Sequence, residues 1–390
     1  MSKKRWRKIG DGRWEYRRSI TVDGETTIVK RRFASAHECE TYDAELTRKT
    51  ASGGVLRESS ITVGEHVAEW LGSAKNLRPS TRHNYRSIVQ AYVMPTLGSV
   101  QLRKLTTARL QSWVDELERN GRTGGGKGNA ARRGQPLSPK TVANVHGVLH
   151  KALQRAVVWR RLDRNPADFV ELPRRRKTER RSATIDELAR IVSACDSDRL
   201  GAAWRLAWML GVRRGELRAL TWRDVDLETG LVSITKSMVR VGTTDHTDET
   251  KTANGMRINA IDPETVALLG RWRAAQRLER MVAGDDWRGG DLESCLLLTD
   301  TDGSAVTPSS IRRRHDALLR KAGVPRYLMH EARHTVVVQR SKYETMHGVS
   351  RMVGHASAAY TVDQYWHAQT GHDRPSAHAL ADELRRRRES

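Results

Sequence analysis

The stretch His330-Glu331-Ala332-Arg333-His334, "HEARH", admits two incompatible structures around it. Read as H-E-x-x-H, it sets two histidines one helical turn apart with a glutamate between them, the pattern of zinc hydrolases. Read as H-x-x-R, it offers His330 and Arg333 as a grip for a phosphate. A third reading is two histidines satisfied by local hydrogen bonds. The surroundings disfavour the metal. A catalytic zinc needs a third protein ligand. The best-known continuation puts glycine three and histidine six residues past the second histidine, where this chain has Val337 and Arg340. Glu344 could be proposed instead, but no supporting pattern surrounds it. Arg333 would also set a permanent positive charge beside the metal. No metal and no other cofactor is expected.

The charge balance favours the phosphate. The chain of 390 residues carries 69 Lys and Arg against 46 Asp and Glu, a net charge of +23. Solubility does not require such an excess, which implies a large polyanionic partner, most simply DNA or RNA. The three cysteines, Cys39, Cys195 and Cys295, are far apart and form no C-x-x-C pair. They predict core residues of a reducing, cytoplasmic chain with no disulfide frame. The start, "MSKKRWRKIGDGRW", has no apolar run behind it and is not read as a signal peptide. No stretch approaches the roughly 20 apolar residues of a membrane span, so no membrane partner is expected.

The length predicts more than one domain. Over residues 12–33, Trp14, Tyr16, Ile20 and Val22 share one parity, and Asp23-Gly24 predicts a hairpin turn into a second strand. Basic residues crowd both strands. The sheet could lie in a DNA groove through Arg17, Arg18, Lys30 and Arg31, or be a small folded cap with a solvated face. Residues 35–57 read as a helix and then a Gly-Gly linker. From 61 to 172 the period is helical. Thr62-x-x-Glu65 is a capping box ahead of Val63, Val67, Trp70 and Leu71. A second stripe, Tyr85, Ile88, Val89 and Tyr92, closes at Met94-Pro95. A third is Leu110, Trp113, Val114 and Leu117. A fourth, Val142, Val145, Leu149 and Leu153, ends near Asn165-Pro166. Arg82 and Lys140 are its candidate DNA contacts. Residues 121–136 read as a basic loop, and 171–181, "ELPRRRKTERR", as a connector. Thr184-x-x-Glu187 caps the next helix, and 200–221 reads as one apolar helix. Strands are expected at 231–241 and 256–261 around a turn holding Lys251. Helices follow near 264–282, 308–322, 330–343, 345–353 and 358–370. The fold class is α+β multidomain. A small N-terminal β-sheet domain with its linker helix spans 1–57, an all-α domain 58–172 and a linker 173–181. A mainly α domain with a small antiparallel sheet spans 182–390.

Chemistry gathers in the last part. In "GVRRGEL", Glu216 stands one turn after Arg213 and can hold its planar fork. "MVGHASAAYTVDQYWH" sets His355 ten residues before Tyr365. Such a set could break a phosphodiester without metal. Two arginines would neutralise the non-bridging oxygens. A tyrosine nucleophile, only ~0.1% ionised at neutral pH, would need the cationic pocket to lose its proton. Lys251 could protonate the leaving oxygen.

The order Arg213, Lys251, His330-x-x-Arg333, Gly354-His355, Tyr365 resembles the tyrosine recombinases, or phage-type integrases, from about residue 61 to 370. The resemblance implies that Tyr365 is the nucleophile, that Glu216 supports Arg213, and that His330, Arg333 and His355 contact the phosphate. It also implies a core-binding helical domain and an N-terminal domain for separate arm-type sites, as in heterobivalent integrases. Expected partners are double-stranded DNA at core-type and arm-type attachment sites, three further copies forming a tetramer on DNA, and an excisionase or DNA-bending protein. The expected place is the cytoplasm of a bacterial host, at the nucleoid. The chain departs from the family in Glu331, where aspartate is usual. It departs again after Arg333, where "HTVVVQRSKYETMHGVS" is more polar and Met346–Gly348 is expected to make the bend. Tyr360 competes as nucleophile, and the D-x-Y-x-H setting favours Tyr365. Other readings are a type IB topoisomerase-like enzyme and a DNA-binding regulator. The separate helical domain argues against the first, and the complete set of reactive side chains against the second.

Overall fold

The computed structural model describes residues 5–22, 25–51, 61–123, 133–174, 181–249 and 255–354. The chain divides into two compact units, residues 1–177 and 178–390. Its class is mixed α and β, as the sequence predicts.

In the first unit, β1 (Trp6–Lys8), β2 (Trp14–Val22) and β3 (Glu25–Phe33) form an antiparallel sheet in that order. Val22 pairs with Glu25; the expected turn at Asp23-Gly24 lies outside the described residues. β1 is a strand beyond the two expected. Alternation works as predicted for β2: Tyr16 and Ile20 are buried with Cys39 and Leu46 of α1 (Ala36–Ala51). The expected linker after α1 lies outside the described residues.

The helices of this unit are α2 (Val63–Ser73), α3 (Pro79–Ile88), α4 (Met94–Leu97), α5 (Thr107–Asn120) and α6 (Pro139–Val158). Their predicted stripes share one core, with Val67, Leu110, Val142 and Leu153 fully enclosed. The capping box forms: Glu65 N donates to Thr62 Oγ1 at 3.2 Å, and Thr62 N to Glu65 Oε2 at 2.8 Å. Met94-Pro95 does not close the second helix. A π-helical turn, Val89–Val93, lets Met94 N reach Val89 O, and the chain stays helical to Leu97. The wider turn accommodates a proline whose missing N–H would otherwise break the ladder. α6 ends at Val158 rather than near Asn165, because Arg160 takes φ 55° and turns the chain.

The second unit begins with α7 (Ile185–Cys195), again capped by its predicted box. α8 (Gly201–Leu210) and α9 (Arg214–Ala219) replace the single helix expected over 200–221. Gly211, at φ +64°, separates them. Five strands follow: β4 (Val225–Asp226), β5 (Leu231–Ile234), β6 (Lys236–Val241), β7 (Thr244–Glu249) and β8 (Arg257–Ala260). β4, β5 and β8 make one small sheet, and β6 with β7 a separate hairpin. The sequence reading missed β7, whose run "TDHTDE" has no apolar alternation. Then come α10 (Pro263–Ala283), α11 (Pro308–Lys321), α12 (Met329–Arg340) and α13 (Met346–Val353). Met346–Gly348 is the first turn of α13, not a bend; the chain turns over 341–345. The expected helix over 358–370 lies outside the described residues.

α8 is enclosed on nearly every side, with Trp204, Trp208 and Leu206 at the centre of the core. α12 lies against it, tied to neighbouring backbone. Thr335 Oγ1 accepts from Ala183 N at 2.9 Å, Gln339 Nε2 donates to Ala183 O at 2.9 Å, and Arg340 Nη2 donates to Met209 O at 3.3 Å. Cys39, Cys195 and Cys295 are all buried free thiols. Among the described residues, no helix is long and apolar enough to cross a membrane.

The α7 cap also reaches tertiary structure, since Glu187 Oε2 accepts both Thr184 N at 2.8 Å and the Tyr327 hydroxyl at 2.9 Å. Thr184→Ala should cost about 1 kcal/mol through the lost cap. In a unit of this size that is roughly a 2–4 °C drop in Tm. Scanning calorimetry of the full chain checks it, and an unchanged melt would contradict the assigned cap.

Candidate active site

The break at Gly211 creates the site. Ending α8 in the left-handed region turns the chain so that Arg213 stands at the N-cap of α9. Its backbone N–H donates to Glu216 Oε2 at 2.9 Å, and its guanidinium Nη1 to Glu216 Oε1 at 2.6 Å. Nη2 donates to Gly354 O at 2.7 Å. Glu216 is 2% exposed and takes a second arginine, Arg257 of β8, whose Nη2 donates to Oε2 at 2.7 Å. Burial alone would push this carboxyl up. The hydrogen bond and charge of Arg257, then the backbone N–H and charge of Arg213, outweigh it and hold Glu216 below the ordinary range.

His330 and Arg333 lie in the first turn and a half of α12. Glu331 Oε2 accepts Leu328 N at 2.6 Å, so that carboxylate serves its own helix end. Arg333 is 2% exposed, and its Nη1 donates to Gly211 O at 2.9 Å. A Cβ on Gly211 would stand 3.3 Å from both Cα and Cγ of Arg333. Glycine is therefore needed twice at 211, for its φ and for the closeness of α12.

Arg213, His330 and Arg333 open onto one cleft of about 500 Å³, joined at its rim by Arg214 and Arg312. His315 also lines it and is held neutral. Burial lowers its pKa to about 4, and its Nε2 accepts the Trp208 indole N–H at 3.2 Å. The two histidines of "HEARH" part company: His330 is exposed in the cleft, whereas His334 is buried and does not line it. This separation, with Glu331 engaged at the helix end, argues against a joint metal site. Among the described residues, no group of three or more His, Cys, Asp or Glu could hold a metal ion.

Lys251, His355 and Tyr365 lie outside the described residues. Gly354, directly before His355, and β7, which ends at Glu249 two residues before Lys251, are described. The Gly354 carbonyl is the one bound by Arg213. The hairpin before Lys251 is anchored by Asp245 of β7, which accepts Arg218 Nη2 at 2.9 Å, while Arg218 Nε donates to Val306 O at 2.9 Å.

The candidate DNA contacts divide. Arg17 and Lys30 face each other across β2 and β3, both exposed. Like charges directly opposite are unfavourable without an anion to share. Lys140 is exposed in the first turn of α6. Arg31 is exposed and lies over the Tyr42 ring at 5.3 Å. Arg18 and Arg82 are half-buried and also bonded within the fold. Arg18 points to the other face of the sheet, where Nη1 donates to Asp43 Oδ1 at 3.0 Å and Thr47 Oγ1 at 2.6 Å. Arg82 binds the carbonyls of Leu71 and Ala74 at the end of α2, at 3.3 and 2.6 Å. Both therefore take part in holding the fold together. Sequence reasoning missed Gly211 and Arg257, because each acts on a partner far away in the chain.

The chain is similar to known proteins over most of its length. Residues 181–372 match the model of the phage integrase family, and residues 62–118 that of the phage integrase N-terminal SAM-like domain. An integrase of Streptomyces ambofaciens is 24% identical, covering 94% of this chain and 94% of its own. A XerC-like tyrosine recombinase of Caldanaerobacter subterraneus subsp. tengcongensis is 23% identical, covering 92% and 94%. Among solved structures, the Tn1549 transposon integrase in complex with transposon right end DNA superposes with a TM-score of 0.65 at 19% identity, over 83% of this chain and 99% of that one.

Gly211→Ala tests the site's construction. It should destabilise the chain by about 1–3 kcal/mol, from the strained φ and the displaced Arg333. Thermal melting measures this, and an unperturbed melt would contradict the close approach of α12.

Proposed function

The chain belongs to the phage integrase family of tyrosine recombinases, and we propose that its arginine cleft holds the scissile phosphate of a DNA attachment site. One observation carries this reading. Arg213 and Arg333 come from helices far apart in the chain, yet both open on one cleft with His330. Two guanidinium groups can share the two non-bridging oxygens of a phosphodiester as charge gathers there in the transition state. Arg213 has five N–H donors. Glu216 and Gly354 take one each, so donors remain for the phosphate.

The proposed sequence of events is as follows. The Tyr365 oxygen attacks phosphorus and the bond to the 5′ oxygen breaks. The phenolic proton passes to His330, with His355 as a further donor to the phosphate. Lys251 gives its proton to the departing 5′ oxygen. A 3′-phosphotyrosyl ester replaces the phosphodiester, so resealing by a 5′ hydroxyl needs no ATP. Exchange between two duplexes requires four such cleavages, which a tetramer supplies in two paired steps through a Holliday junction. The organisation proposed is residues 1–57 on arm-type sites, 58–172 on core-type sites, and 182–390 for catalysis after the linker 173–181. Arg17, Lys30, Arg31 and Lys140 supply backbone contacts. The setting proposed is the host nucleoid, with an excisionase or bending protein as accessory partner. What supports the arm role is the exposed Arg17 and Lys30 pair, a repulsion that a phosphate would relieve.

Three experiments test this. A nicked suicide duplex should trap a covalent protein–DNA adduct in EDTA, and Tyr365→Phe should abolish it. Arg333→Ala should slow cleavage by roughly 10²–10³-fold, the usual cost of one lost transition-state donor. Absence of any adduct would favour a DNA-binding regulator. Loss of activity in EDTA would return a metal to the site. For the N-terminal sheet, Arg17→Ala with Lys30→Ala should reduce the salt slope of arm-site binding by about 2, near 0.9 per lost phosphate contact. An unchanged slope in a binding titration would remove both residues from the interface.

A further inference from the structure

The cleft's walls account for Arg213, His330 and Arg333, but not for Arg257. This arginine does not line the cleft, and its side chain is only 5% exposed. A buried guanidinium on a short strand is costly unless it is paired. Its pairings are specific: Nη2 to Glu216 Oε2 at 2.7 Å, and Nη1 to Gly255 O at 3.1 Å. Glu216 in turn holds Arg213 through both carboxylate oxygens. The three side chains form one chain of contacts, Arg257–Glu216–Arg213, running from the sheet to the cleft.

The charges give this chain a consequence. With both arginines present, the cluster carries a net single positive charge. The carboxylate's field is divided between an arginine that faces the cleft and one that does not. Without Arg257 the full negative charge falls on Arg213. The cluster then sums to zero, and the guanidinium is drawn towards the interior. The phosphate would meet a weaker and displaced cation.

Resting on the reading of the cleft as the site of the scissile phosphate, we infer that Arg257 is a positioning residue for DNA cleavage: by sharing Glu216, it keeps the guanidinium of Arg213 turned towards the phosphate. Arg257 touches no substrate, so its effect passes entirely through Arg213. A positioning role of this kind depends on the charge of the substrate, whereas a purely structural role does not.

The test uses the full chain and single-turnover cleavage of a saturating nicked duplex. One substrate has the ordinary phosphodiester at the cut site. The other has a methylphosphonate there, which lacks one anionic oxygen and so asks less of the arginines. Arg257→Gln should slow cleavage of the phosphodiester about 10-fold or more, a fraction of the roughly 10²–10³-fold cost of losing a direct donor. Its Kd for the duplex should stay within about twofold, because one charge among many phosphate contacts is altered indirectly. On the methylphosphonate, its deficit relative to the unaltered chain should shrink to about threefold or less. Arg257→Lys keeps the charge without the planar fork and should fall between the two. If Arg257→Gln does not fold, the lysine variant carries the same comparison, and its deficit must again shrink on the neutral linkage. Equal deficits on the two substrates, or no deficit at all, would overturn the inference. An unaltered chain that forms no adduct would fail differently, removing the proposed function beneath it.

Discussion

A carboxylate that is 2% exposed sits between two guanidinium groups, and the working part of the second unit is arranged around it. An unpaired buried carboxylate would cost several kcal/mol or take up a proton. Glu216 does neither, because Arg257, the Arg213 guanidinium and the Arg213 backbone N–H all converge on it. The same bonds start α9, join that helix to β8 and fix the guanidinium that faces the cleft. The linkage has a definite sign. A carboxyl whose folded pKa is depressed stabilises the fold above its unfolded pKa, here the ordinary 4.5, and that contribution is lost as the pH falls through the folded value. At neutral pH it is fully present, so the clamp is insensitive to modest pH changes around its working range.

Much of the architecture was legible because it is local. Thr62 and Glu65, or Thr184 and Glu187, stand three residues apart, and spacing alone states what they do. Apolar stripes such as Leu110, Trp113, Val114 and Leu117 likewise contain their own explanation. What the sequence concealed depends on partners remote in the chain. "AAWRLAWMLGVRRGEL" reads as one helix until Arg333 is known to lie against Gly211. Pro95 reads as a stop until the π turn is seen. Arg18 and Arg17 are adjacent basic residues on one strand, yet one reaches Asp43 and the other solvent. Parity predicts that difference, but composition does not.

β8 shows the limit of alternation most clearly. In "RINA" the apolar residue would be assigned to the interior. Instead Ile258 is 67% exposed, while Arg257 and Asn259 turn inward. Asn259 Nδ2 donates to Met352 O at 3.1 Å, which ties the strand to α13 as Arg257 ties it to α9. The strand thus spends its inward positions on connections between helices. Local hydrophobicity cannot announce such a choice, because its benefit lies in the placement of other elements.

The helix ends explain why the two cleft arginines are fixed before any ligand arrives. The last carbonyls of α8 have no partners within their helix and carry its negative dipole end. Arg340 takes the Met209 carbonyl and Arg333 the Gly211 carbonyl, so α12 docks by capping α8. Gly354, just past α13, offers its carbonyl to Arg213 in the same way. An arginine free in solvent would lose rotamer freedom on gripping a phosphate, up to roughly 2 kcal/mol each. Here that ordering is completed during folding, through backbone acceptors and Glu216. On the proposed reading of the cleft, such pre-ordered cations would need little reorganisation as charge develops on the phosphate. That is the condition under which arginines can serve in place of a metal ion.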